Sequence, residues 1–340
     1  KAFYEGKNAQ LLVSEMKRGN GIITLEDLKN YKTKERKALE FNYKNHEIVS
    51  MPLPSSGGIL LAQMLKMSSF ENLEKYQQNS PEAVQVMVEA ERRAFADRAE
   101  FMGDPDFIED KTQMLISEEY LKNRWKNFSF KKATPSSEVG KIIAQPKEST
   151  ETTHISIIDK FGNAVAVTTT LNGLYGSKVV VKGGGYFLNN EMDDFSVKPG
   201  VPNMFGAVGG EANKIEPNKR MLSSMTPTIV LKKGKPYMVV GTPGGTTIPT
   251  SVYQSIVNVI DFKMTPSSAV NSAKFHHQWL PEMVFVEKNF PESTLKILEQ
   301  KNYKFEKRGG IGRTEMIVID ENGNATAVAD SRGDDSVAVE

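Results

Sequence analysis

The chain has 340 residues, enough for one large or two ordinary domains with a substantial buried core. Hydrophobic residues make up 39% and charged residues 25%, and 43 basic against 42 acidic side chains leave a net charge of +1, so nothing favours nucleic acid or an anionic membrane as partner. No apolar run approaches the ~18 residues of a spanning helix, no secretory signal segment is read, and the absence of cysteine excludes disulfides, thiolate catalysis and Cys-based metal sites. The opening Lys1-Ala-Phe-Tyr-Glu-Gly6 lacks Met, which leaves room for a leader or a whole segment upstream.

The first part reads as mostly helical. Apolar residues recur at helical spacing over Ala9–Lys17, and Thr24 caps a short helix to Tyr31. Leu39–Met51 reads as a strand pair turning around Asn42–Asn45, and Pro54-Ser-Ser-Gly-Gly58 turns into a helix over Ile59–Met67. Pro81–Phe101 gives the clearest helical pattern, with Val84, Met87, Val88 and Phe95 on one face and charges opposite, stopped by Gly103-Asp-Pro-Asp106. Residues Asn127–Glu151 combine Thr134-Pro-Ser-Ser137, Gly140, Pro146 and many charges with little periodicity. Structureless connections beyond ~12–15 residues are uncommon inside compact domains, so this stretch predicts a boundary dividing the chain into 1–151 and 152–340.

Beyond it the period changes to that of strands. Thr153–Asp159 and Ala164–Thr170 flank a Gly-containing connection, Lys160-Phe-Gly-Asn163. Thr228–Lys232 and Pro236–Gly241 form a second hairpin, and Glu315–Asp320 with Ala325–Ala329 a third. Ile248–Phe262 and Pro266–Lys274 are helical, and repeats and low-complexity tracts are absent. Sheets covered by helices follow: an α+β fold in stacked layers.

The sharpest local feature is Glu151-Thr-Thr-His154, a strand start after a long polar linker. An enzyme that cuts its own backbone there exposes a threonine whose hydroxyl is a nucleophile and whose freed α-amine is a base. Taken alone, a β-branched residue entering a strand is the commoner explanation. Gly183-Gly-Gly185 and Gly309-Gly-Ile-Gly312 complete no nucleotide fingerprint and read as turns. His276 and His277 are adjacent, cannot share a helix face, and have no third His or Cys nearby, so they read as structural residues and no metal is expected.

The segments Thr152-Thr-His154, Gly162-Asn-Ala-Val-Ala-Val-Thr168, Leu188-Asn-Asn-Glu-Met-Asp-Asp-Phe195, Lys198-Pro-Gly-Val-Pro202, Leu222-Ser-Ser-Met-Thr-Pro227, Pro243-Gly-Gly245 and Phe275-His-His-Gln-Trp-Leu-Pro281 closely resemble γ-glutamyltransferases. Pro217-Asn-Lys-Arg220, Met51-Pro-Leu-Pro-Ser-Ser-Gly-Gly58 and Gly103-Asp-Pro-Asp-Phe107 extend the likeness nearly end to end, in the family's order. The resemblance implies a four-layer αββα sandwich of the N-terminal-nucleophile hydrolase type, here N-terminally incomplete. It implies a zymogen that cuts itself between Glu151 and Thr152 into a large-subunit part and a small subunit, which stay together as a heterodimer. It further implies transfer of the γ-glutamyl group of glutathione and similar amides to water, amino acids or peptides, through an ester on Thr152. No metal or organic cofactor is involved, and the setting is periplasmic or secreted.

By the same resemblance Thr170 hydrogen-bonds the nucleophile. Asn172, Glu191 and Asp194 hold the α-amino and α-carboxylate ends of the donor, and Ser223 and Ser224 bind its α-carboxylate. Gly244 and Gly245 supply the oxyanion hole. Many members carry Gln where this chain has Glu191, which sets a second acid near Asp194 and is expected to raise one of the two pKa values. Phe205 stands where the family's lid carries Tyr, so its ring covers the pocket without the hydroxyl's hydrogen bond. The Arg that family members use against the α-carboxylate comes from a segment upstream of Lys1. Two alternatives stay open: a related cephalosporin or poly-γ-glutamate acylase, and a non-catalytic, uncleaved fragment.

Overall fold

A six-stranded antiparallel sheet organises the computed structural model, which describes residues 2–140, 151–196, 198, 201 and 210–339. In chain order the elements begin with helices α1 (Lys7–Arg18) and α2 (Leu25–Asn30), strands β1 (Leu39–Tyr43) and β2 (His46–Ser50), and helices α3 (Gly57–Ser69), α4 (Pro81–Phe101), α5 (Thr112–Leu115) and α6 (Glu118–Trp125). Strands β3 (Thr153–Ile158), β4 (Ala164–Thr169), β5 (Thr228–Lys232) and β6 (Lys235–Gly241) follow. The chain then forms α7 (Thr247–Ile260), α8 (Pro266–Asn271), β7 (Phe275–His276), β8 (Val284–Glu287), α9 (Glu292–Glu299), β9 (Phe305–Arg308), β10 (Glu315–Ile319) and β11 (Ala325–Val328).

The sheet order is β1-β2-β5-β6-β10-β11. Strand β2, from before residue 151, pairs with β5 from after it through Glu47↔Leu231, Ile48↔Val230 and Val49↔Ile229, so both parts of the chain build one sheet. One face is covered by α3 and α7, with α4 packed on α3. Helix α3 is apolar nearly all round, the pattern of a helix buried on every side, and α7 is buried along its whole length; Ile59, Leu60, Leu61, Val252, Ile256 and Val257 are solvent-free.

Helix α4 has the expected ends but not the expected solvated face. Glu89, Glu91, Arg92, Arg93, Asp97 and Arg98 are all buried. Four of the six, Glu89, Arg92, Arg93 and Asp97, meet opposite charges internally. Arg93 lies 2.5 Å from Glu89, Arg92 pairs with Glu282, and Arg124 approaches Asp97 at 2.9 Å.

These arginines also explain residues 127–140, which the sequence presents as structureless linker. Arg93 Nη2 donates to Asn127 Oδ1 at 2.6 Å, Ser136 N–H donates to Glu282 Oε2 at 2.6 Å, and Trp279 Nε1 donates to the Ser136 carbonyl at 3.0 Å, so the segment is docked. Residues 141–150 lie outside the described residues. The helix expected over Pro266–Lys274 ends at Asn271, because Phe275 and His276 pair with β8. Strands β7 to β9 and helices α5, α6 and α9, none longer than eight residues, are not among the elements read from the sequence.

The β3–β4 hairpin packs on the other face of the sheet, against β6 and β10. Strict alternation turns His154, Ser156, Ala166 and Thr168 toward the sheet, while Ile155, Ile157, Val165 and Val167 point outward and are 43–49% exposed. The His154 ring lies directly over Gly241, where any Cβ would overlap it. Helices, sheet and hairpin thus stack in the α-β-β order of the expected sandwich.

Candidate active site

The hairpin register decides the geometry around residue 152. Asp159 accepts from the backbone N–H groups of Phe161 and Asn163 and closes the turn. That turn sets Thr153 opposite Thr169, so Thr152 and Thr170 extend the inward-facing rows side by side. Thr152 Oγ1 lies 2.8 Å from the Glu151 carbonyl oxygen and 3.4 Å from Thr170 Oγ1. Thr170 Oγ1 donates to the same carbonyl at 3.0 Å and accepts from Asn172 N–H at 2.8 Å. The Asn172 bond occupies the acceptor side of that hydroxyl and turns its proton toward the Glu151 carbonyl.

Thr152 and Thr170 head a pocket whose walls include Asn172, Asp194, Ser223, Ser224, Gly245 and Arg98. Asn172 sits in the left-handed region (φ 71°), its Nδ2 donating to the Asn190 carbonyl at 3.0 Å. Gly173 N–H donates to Asn190 Oδ1, so the loop after β4 is tied to the turn that carries Glu191–Asp194. Asn213 braces two walls: its Nδ2 donates to the Asp194 carbonyl at 2.7 Å and its Oδ1 accepts from Leu222 N–H at 2.9 Å. The Ser223 strand pairs with Ser55, Ser56 N–H donates to the Ser223 carbonyl at 2.9 Å, and Ser55 Oγ donates to the Met225 carbonyl at 2.6 Å. A side chain at Gly57 would overlap Thr226, which explains the Pro-Ser-Ser-Gly-Gly turn.

Glu191 and Asp194 are part-buried neighbours. Burial pushes the Glu191 carboxyl up first, reinforced by the Asp194 charge and their hydrogen bond. Asp194 is also raised by burial, and Arg98 opposes that rise. Both carboxyls are thus raised as a pair, Glu191 by burial and by the Asp194 charge together.

Gly244 (φ 137°) and Gly245 (φ 58°) form the turn into α7, in backbone conformations that favour glycine. Gly245 lines the pocket with Thr152, whereas Gly244 borders the adjoining cleft with Glu151, Arg313 and Arg332. Phe205 lies outside the described residues. His276 is buried 2.9 Å from Thr250 Oγ1 and 2.8 Å from Gln278 Oε1 and does not itself line the pocket. The sequence reading missed Arg98, whose place in a run of helix charges marked it as solvated.

A family model described as gamma-glutamyltranspeptidase matches residues 1–340. The chain belongs to the gamma-glutamyltranspeptidase family. It is 46% identical over 335 residues to the glutathione hydrolase proenzyme of Escherichia coli (strain K12), covering 98% of this chain and 58% of that protein. It is 42% identical over 337 residues to the Pseudomonas aeruginosa glutathione hydrolase proenzyme, covering 97% of this chain and 60% of that one. The chain thus spans well under two thirds of the length of these gamma-glutamyltranspeptidase relatives. A crystallised Helicobacter pylori gamma-glutamyltranspeptidase mutant chain is 48% identical with a TM-score of 0.52, matching 53% of this chain and all of that chain. The cephalosporin acylase of Bacillus halodurans, at 23% identity, shares the fold over 99% of this chain and 59% of its own, with a TM-score of 0.82. Among the described residues no helix is long and apolar enough to cross a membrane.

Proposed function

We propose that this chain carries the catalytic centre of a self-processing γ-glutamyltransferase or glutathione hydrolase. The observation that carries the proposal is the convergence of the Thr152 and Thr170 hydroxyls on the Glu151 carbonyl, at 2.8 and 3.0 Å, at the head of the pocket. In maturation Thr152 Oγ1 attacks that carbonyl, the C–N bond to Thr152 breaks as an ester forms, and water releases Glu151 as a carboxylate. The freed α-amine then takes the Thr152 hydroxyl proton during attack on the donor's γ-carbonyl. The leaving amine departs protonated, and water or an amino acid resolves the γ-glutamyl ester.

The pocket's charge supports the γ-glutamyl reading over an acylase. Asp194 offers an anion to the α-ammonium, while Ser223 and Ser224 face an α-carboxylate. Gly244 and Gly245, at the turn beside Thr152, are assigned the oxyanion. By family resemblance we assign glutathione as a donor, a periplasmic or secreted setting and a two-subunit mature form. The test combines N-terminal sequencing with release of p-nitroaniline from γ-glutamyl-p-nitroanilide. Two bands, the smaller starting at Thr152, together with dye release support the proposal; an uncut chain without release overturns it.

A further inference from the structure

Arg98 is the charged group in the pocket that neither the motifs nor the chemistry above accounts for. It is 5% exposed, on the last turns of α4, and lines the pocket with Thr152, Asp194 and Ser224. The other buried arginines of α4 lie against carboxylates: Arg92 against Glu89 and Glu282, Arg93 against Glu89. Arg98 differs. Its hydrogen bonds among the described residues go to two hydroxyls, Nε donating to Ser56 Oγ at 3.0 Å and Nη2 to Ser224 Oγ at 3.2 Å. Among the described residues no carboxylate lies at ion-pair distance from this guanidinium, and Asp194 acts on it only from further away in the pocket. A buried cation so placed is costly, and an anionic group of a ligand would offset that cost.

The two hydroxyls show how the charge is used. Ser56 Oγ accepts from Arg98 and passes its own proton to the Ser223 carbonyl at 2.8 Å, which fixes the Ser223–Ser224 segment. Ser224 Oγ accepts from Arg98 in the same way, which leaves its proton for an acceptor in the pocket. Burial lowers the guanidinium's pKa to about 10 and the Asp194 charge works against that fall, so it stays cationic at neutral pH.

We propose that Arg98 is a positioning residue for the donor's α-carboxylate: it locks the Ser224 hydroxyl as a donor pointing at that carboxylate and supplies the cation opposite Asp194. The site then selects donors with a free α-carboxylate beside the α-ammonium. This rests on the γ-glutamyl reading of the pocket.

The experiment compares γ-glutamyl-p-nitroanilide with its α-carboxamide in the full protein, for wild type, Arg98→Met, Arg98→Lys and Ser224→Ala. Loss of a charge-assisted bond is worth roughly ten- to a hundredfold. Arg98→Met is expected to raise KM for the carboxylate donor by that factor, to change kcat much less, and to cost the carboxamide donor distinctly less than the carboxylate donor. Arg98→Lys is expected to restore part of the preference, and Arg98→Met added to Ser224→Ala to cost little more than Ser224→Ala alone. Equal losses on both donors, or full additivity with Ser224→Ala, overturn the proposal. Should Arg98→Met fail to fold, Ser56→Ala, which loosens Arg98 from outside the pocket, is expected to lower the carboxylate preference in the same direction, and an unchanged ratio is fatal. A wild type inert on both donors refutes the γ-glutamyl reading itself, a separate result.

Discussion

Thr170→Val is the sharpest perturbation of the self-cleavage geometry. Valine keeps the β-branched shape at the end of β4 but removes the hydroxyl that donates to the Glu151 carbonyl at 3.0 Å. In the proposed self-cleavage that carbonyl oxygen becomes the oxyanion, and losing one such donor costs about 10²–10³ in rate, or about 3–4 kcal/mol of barrier. The same change removes the acceptor for Asn172 N–H, 2.8 Å away, which costs about 1–3 kcal/mol of stability if the N–H stays buried. Thr170→Ser keeps both hydrogen bonds and loses only a methyl. The assay follows the appearance of two bands on a denaturing gel, with a thermal melt to separate misfolding from slow cleavage. Thr170→Val is expected to remain largely uncut over times at which wild type and Thr170→Ser are fully processed. Cleavage of a folded Thr170→Val protein within about threefold of the wild-type rate would refute the assigned role, since the donor's loss is worth at least a hundredfold.

Glu191→Gln is expected to leave KM at pH 7 within about threefold, because the raised Glu191 carboxyl is already neutral there and Gln offers a similar donor. As pH rises through that raised value, wild type gains a charge beside Asp194 and its kcat/KM shifts by a step that the variant lacks; matching profiles refute the assignment. His154 has its pKa lowered by burial to about 4, so between about pH 6.5 and pH 4 the unfolded chain binds a proton that the folded one does not. Stability is therefore lost as pH falls through that window, by about 2 kcal/mol between pH 7 and pH 5. Chemical denaturation of His154→Gln should lack that component, and equal slopes count against the burial argument. Gly241→Ala is expected to lower stability by about 1–3 kcal/mol, read by thermal melting, because the new methyl overlaps the His154 ring; a melt unchanged within a degree excludes that overlap.

What could be read from the sequence follows where local physics was sufficient. Asp159-Lys-Phe-Gly-Asn163 and Asp320-Glu-Asn-Gly-Asn324 close their hairpins alike, the Asp carboxylate accepting from backbone N–H groups two and four residues on, so turn chemistry sets both registers. The first register places Thr170 beside Thr152. The pocket's other walls depend on contacts between distant segments. Ser223 is held by the turn at Pro54–Ser56, and Asp194 by Asn213. Arg98 was hidden for a different reason. Charges on a helix ordinarily mark its wet face, and only the packing of α4 beneath α3, α9 and the docked 127–140 segment puts six of them out of water. Periodicity reports which residues are apolar; it does not report which charges find partners inside.

The same packing bears on the fate of the chain after cleavage. Cutting between Glu151 and Thr152 severs one peptide bond, but the pairing of β2 with β5 stays intact in the middle of the sheet, with Ile48 and Val230 fully buried where the strands meet. Helix α3, from before the cut, packs on α7 from after it, and the core is continuous across both parts. The pocket is shared as well: Arg98 comes from one piece, and Thr152, Asp194 and Ser224 from the other. The two pieces are therefore expected to co-elute in gel filtration under native conditions and to separate only in denaturant, with activity lost at the same denaturant concentration as their association. Free elution of the 152–340 piece, or activity from it alone, would show that the shared sheet and Arg98 are dispensable to the mature site.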